Sequence, residues 1–207
     1  MRSRPPNPVA LLGAVVALLS YAHLPFFAPN WLLFKANRIV AGEPHGLFAV
    51  APGWAWTLLA VWLALASLAL LPLPGRSWWL SQLASLGIVG GVLALAAGTH
   101  ALVAEAPASA RVSPEGGVWL MALGAYIAYF GALGEAPAGR WWRLLMIAPG
   151  PLLATALIAA GVLSDLGIAR EIAGRSADFW AQFARHVALS GSSVLLATAI
   201  GSPAAIW

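Results

Sequence analysis

The sequence predicts an all-α polytopic membrane protein of about six transmembrane helices with a cytoplasmic N-terminus. Three observations lead there. Of the 207 residues, 61% are hydrophobic and only 9% charged, against roughly 45–50% and about 25% in ordinary globular domains. The apolar residues gather into runs long enough to cross a bilayer, whose hydrocarbon core of about 30 Å takes about 20 helical residues. Between the runs stand connectors rich in Pro, Gly and charge: PLPGRSWW, EAPASARVSPEGG, GEAPAGRWWR and SDLGIAREIAGRSADFWAQFAR.

In order, the expected spans are residues 8–27, 54–73, 79–103, 118–133, 144–163 and 186–207. The first follows the basic start MRSR and also resembles a signal peptide ending at Ala22. Its apolar run continues through Leu24, Phe26 and Phe27, and further spans follow, so an uncleaved first helix is the better reading. With the N-terminus inside, the inner loops carry Arg2, Arg4, Arg76, Arg140 and Arg143. The outer segments carry Lys35, Arg38, Arg111, Arg170, Arg175 and Arg185. The counts nearly balance, but the inner charges sit in much shorter loops, which is where loop charge sets orientation. Trp78, Trp79, Trp141 and Trp142 flank arginines at helix ends and read as interface anchors, since indole rings settle at headgroup level.

The fourth connector passes into an amphipathic stretch, with Phe179, Phe183 and Val187 stepping by four and Trp180 beside them. This predicts an approach helix at the outer face before the last span. Small residues recur inside several spans (Gly87, Gly90 and Gly91; Gly124 and Gly131) and read as surfaces where helix backbones pack.

Chemistry is sparse. There is no cysteine, which excludes disulfides, thiolate metal sites and Cys nucleophiles. The net charge of +4 is scattered and forms no run suited to nucleic acid. Glu105, Glu115, Glu135, Asp165, Glu171 and Asp178 fall in connectors or at helix ends, so no intramembrane carboxylate marks a proton path. No HExxH, Walker glycine loop or GxSxG is present, and the chain reads as a non-enzyme without cofactor. His23, His45, His100 and His186 would all lie toward the outer face; they show no i, i+4 pair and read as unrelated, a haem or metal site being the weaker alternative. Trp54, Trp56 and Trp62 suit anchoring and lipid packing better than a cation-binding aromatic cage.

The stretch FWAQFARHVALSGSSVLLATAIGSPAAIW resembles the opening of the permease core of bacterial ABC importers, nearest to the osmoprotectant group. That group carries glycine betaine, choline, carnitine or proline. Gly201, Ser202, Pro203 and Ala204 keep the first part of the family's Gly-x-Pro-x-Gly-like turn, while Ala205 replaces its second glycine. NRIVAGEPHGLFAVAP and LSDLGIAREIAGRSADFWAQFARH are similar to the first outer loop and last connector of the N-terminal extension in YehY-like permeases.

The resemblance implies a membrane-spanning permease subunit of the bacterial inner membrane, working with an ATP-binding subunit and a periplasmic substrate-binding protein. It divides the chain into an extension over 1–164, an outer connector over 165–185 and the first core helix over 186–207. Gly191, Ser192, Ser193 and Gly201 would then form a small-residue face for partner helices, with Pro203 at the inner end. The family's coupling loop to the ATPase has no match, so the chain is expected to be an N-terminal portion that does not transport by itself. A free-standing accessory membrane protein is the competing expectation.

Overall fold

The computed structural model describes residues 5–22, 27–37, 39–137 and 139–206. Arg2, Arg4, His23, Leu24, Phe26 and Arg38 lie outside the described residues. The residues up to Gly167 form one compact unit, and those from Ile168 onward form a second.

Four helices form the bundle of the first unit: α1 (Pro8–Leu18, extended by a 3-10 turn over Leu19–Tyr21), α3 (Pro52–Leu70), α4 (Arg76–Val103) and α5 (Gly116–Gly134). A single turn, α2 (Leu47–Val50), precedes α3. Helix α1 packs against α5 and α3, and α4 against α3 and α5, so the four close into a bundle. Local chemistry sets the ends. Asn7 caps α1 by accepting from the Ala10 amide, with Pro8 at the first helical position. Pro52 opens α3 in the same way, and Gly75, at φ +69°, supplies the left-handed residue of the tight α3–α4 turn.

The bundle interior is filled. Leu58, Trp62, Leu65 and Leu80 are at most 1% exposed. Glycines bring the helices together: a Cβ at Gly124 would lie 2.5 Å from the Gly13 carbonyl oxygen and 2.6 Å from the Ala17 amide. Gly87 leaves room for the Trp62 ring. Trp62 is therefore a core residue, against the expectation that it packs on lipid; the ring fits inside because Gly87 has no side chain.

Helices α3, α4 and α5 are each long and apolar enough to cross a membrane. The expected span over 144–163 is a bent pair, α6 (Arg140–Ile147) and α7 (Pro149–Ala159), meeting at 42°. Pro149 has no backbone N–H to donate and its ring crowds the preceding turn, which accounts for the bend while Ala148 itself keeps helical dihedrals. The α1 segment over Pro8–Tyr21 is apolar but shorter, so among the described residues three helices, or four with the bent pair as one span, are able to cross by length and composition, against the six expected.

A small sheet accompanies the helices. Strands β1 (Leu32–Lys35), β2 (Glu43–His45) and β3 (Arg111–Pro114) run antiparallel in the order β2-β1-β3, Leu32 facing His45 on one side and Pro114 on the other. They come from the α1–α3 and α4–α5 connections, so the sheet lies at the end of the bundle opposite Gly75.

Helix α8 (Gly167–Gly174) begins at the boundary between the units. In the second unit α9 runs unbroken over Ser176–Ile206, taking the aromatic approach stretch and the apolar run into one helix. Phe179, Trp180 and Phe183 cluster on it, Phe179 and Phe183 stacking at 6.1 Å.

Candidate functional site

At the Gly75 end, one guanidinium joins four pieces of chain. Arg76, the first residue of α4, is 1% exposed. Its Nε donates to Glu135 Oε2 at 2.7 Å and one Nη to Glu135 Oε1 at 2.5 Å, a bidentate pair. The remaining donors reach the carbonyls of Leu71, just past α3, at 2.8 Å and of Pro5, ahead of α1, at 2.5 Å. Glu135 caps the C-terminal end of α5 and its side chain is 22% exposed. Asn7 completes the knot: its amide side chain donates to the Gly131 carbonyl and its backbone N–H to the Ala69 carbonyl, each at 2.8 Å. A buried charge is tolerated when it is paired and its other donors are satisfied, and here they are. Arg76 and Glu135 were legible in the sequence only as loop charges; the available signal was opposite charge at two helix ends that an up-down order brings together.

Beside this knot lie the tryptophans. Trp78 and Trp142 rings are 5.2 Å apart, Arg140 lies 5.5 Å over the Trp141 ring, and Trp79 and Trp141 are 61% and 74% exposed. All four thus sit near the two helix ends that start after the Gly75 and Gly139 turns.

At the sheet end the construction is different. Leu32 and Val112 are buried toward the helices, where a Cβ at Gly98 would meet Leu32 and Val50 at 3.0 and 2.9 Å. Backbone bonds tie the strands to α5: Glu115 N–H to the Trp31 carbonyl at 3.0 Å and Gly117 N–H to the Asn30 carbonyl at 2.8 Å. The opposite face of the sheet carries the alternate residues Leu33, Lys35, Pro44, Arg111 and Ser113. Arg111 donates to the carbonyls of Ala108 and Ala110. His100, in the last turn of α4, meets Asp165 at 3.1 Å.

Of the histidines, His45 lies in β2 and His100 pairs with Asp165, while His186 belongs to the second unit and His23 lies outside the described residues. Among the described residues no group of three His, Cys, Asp or Glu side chains could hold a metal ion. On α9, Ser192 and Ser193 hydroxyls both bond back to the Leu189 carbonyl, at 2.9 and 2.8 Å, and the Cβ positions of Gly191 and Gly201 meet open space. Successive helical residues turn by about 100°, so Gly191, Ser192, Ser193 and Gly201 point in four directions. Pro203 lies in the last turn of α9, which runs to Ile206.

The family model for the N-terminal domain of the ABC transporter permease YehY matches residues 5–169. The chain belongs to this family. The matched range takes in the four-helix bundle, the Arg76 knot, the sheet and the α6–α7 pair, and stops as α8 begins. No curated protein and no solved structure matches the chain. Membership makes it the N-terminal domain of a membrane permease subunit, a component that works with an ATPase and a substrate-binding component.

Proposed function

We propose that the chain is the N-terminal part of the membrane subunit of a binding-protein-dependent ABC importer for a compatible solute such as glycine betaine or choline. The observation that carries the reading is the family match over residues 5–169, followed after α8 by α9, whose sequence resembles the opening of an importer permease core. The Arg76 end then faces the cytoplasm and the sheet end the periplasm of a bacterium, with the protein in the inner membrane. Trp78, Trp79, Trp141 and Trp142 sit at the cytoplasmic headgroup level, and the sheet face bearing Lys35, Arg111 and Ser113 is presented to the substrate-binding protein.

In this reading residues 1–164 are the extension, 165–185 the connector and 186–207 the first core helix. Gly191, Ser192, Ser193 and Gly201 supply the small-residue surface where partner core helices pack, with Pro203 at the inner end. The filled bundle supports a role beside the translocation path: Trp62 and its neighbours occupy the centre where a path would run. ATP hydrolysis belongs to the separate ATPase subunit.

The test is uptake of labelled betaine under osmotic stress in cells with and without the gene. The reading expects uptake to fall when the gene is deleted and to return with the full gene but not with residues 1–207 alone. Equal uptake in all strains contradicts it.

A further inference from the structure

Helices α4 and α5 leave a groove between them whose two halves are treated differently. In the half nearer the Arg76 end, the N-terminus of α7 fills it: Ser85 of α4 and Tyr129 of α5 hydrogen-bond to each other, and Gly150 of α7 lies against both. From there α7 packs along α4. In the half nearer the sheet the groove continues as a cavity of about 130 Å³ walled by Gly91 and Leu95 of α4 and Met121, Ala122 and Ala125 of α5, with Trp31 among its walls. No residue of α7 lines it.

We propose that this half-groove holds one acyl chain of a phospholipid from the leaflet on the sheet side. Three features converge on that occupant. Both walls are helices long and apolar enough to cross the bilayer, so at this depth the surrounding solvent is hydrocarbon. The groove opens at Ala122, which is exposed, and one helical turn on stands Tyr126, 61% exposed; the opening is thus continuous with the lipid-facing side of α5. Apolar walls offer a chain dispersion contacts that an empty groove forgoes. Trp31 adds a polar feature among these apolar walls: it is 2% exposed, and its indole N–H has no acceptor among the described residues.

The experiment is native mass spectrometry of the purified full chain, released from mild detergent, with phosphatidylglycerol and phosphatidylethanolamine as the lipids followed. Gly91→Leu fills the groove from within, where a Cβ meets only the Met121 sulfur at 3.8 Å. Ala122→Phe fills it from the lip without touching the bundle interior. Leu123→Phe, on an exposed position outside the groove, is the control. Wild type and the control should retain one phospholipid per chain, and both filling variants should lose it at least fivefold while keeping wild-type helicity. Quenching of Trp fluorescence by acyl-brominated phospholipid should weaken in the same two variants. Equal retention in all four proteins, no retained lipid in wild type, or cross-linking of a protein segment into the groove would each overturn the proposal.

Discussion

The two ends of the bundle are closed by opposite means. At one end a single buried side chain gathers four pieces of chain, with Asn7 beside it. At the other, three short strands share the load through backbone ladders and a few buried apolar residues. The lesson concerns where failure concentrates. A knot made by one guanidinium is lost with one substitution, whereas a ladder loses one bond at a time.

Arg76→Ala should therefore be the most damaging polar change in the domain. It strands Glu135 without its cation, removes the Pro5 carbonyl's donor and leaves the Leu71 carbonyl with the Leu73 amide alone, an effect of about 3–5 kcal/mol for breaking a buried pair. Denaturant or thermal unfolding in detergent would read it. A near-neutral result would remove the asymmetry between the ends.

Between them, Gly124→Leu tests the close α1–α5 contact. Its side chain must enter the space of the Gly13 carbonyl and the Ala17 amide, which predicts a loss of about 1–3 kcal/mol by overpacking, on the same unfolding scale.

At the sheet end the expected effects shrink. Ser109→Ala removes one hydrogen bond, from the hydroxyl to the Ala36 carbonyl at 2.9 Å on an exposed edge, and should cost about 0.5–1 kcal/mol. His100→Asn breaks the contact to Asp165, whose two side chains are 75% and 33% exposed. Such a pair contributes about 0–1 kcal/mol and is screened by salt. If either change rivalled Arg76→Ala, the distributed character assigned to this end would be wrong.

The helices that a bilayer dictates were legible in the sequence. The α3, α4 and α5 runs are long, uniformly apolar and bounded by Pro, Gly and Arg, so length alone identifies them. The α6–α7 break was written in Pro149, but hydropathy averages over a bend. The sheet was not legible, because strands of three or four residues, one containing Pro44, show no alternation long enough to read. The Arg76 knot needed the third dimension: 59 residues separate Arg76 from Glu135. A terminal charge also has a sufficient explanation in topology, which hid its structural use. On α9 the approach stretch and the last apolar run were legible as two pieces, because charge separates them, and only the helix geometry joins them into one element.

In the proposed importer subunit the two ends lie in different compartments, the knot inside and the sheet outside, where a substrate-binding protein could meet it. Residues 1–207 contain no cysteine, so single cysteines placed in this chain report cleanly. Ser113→Cys lies on the exposed face of β3, and Gly139→Cys lies in the exposed turn before α6. A membrane-impermeant maleimide applied to intact spheroplasts should label Ser113→Cys at once and Gly139→Cys only after lysis. Labelling of Gly139→Cys in intact spheroplasts, with Ser113→Cys protected, would contradict the account.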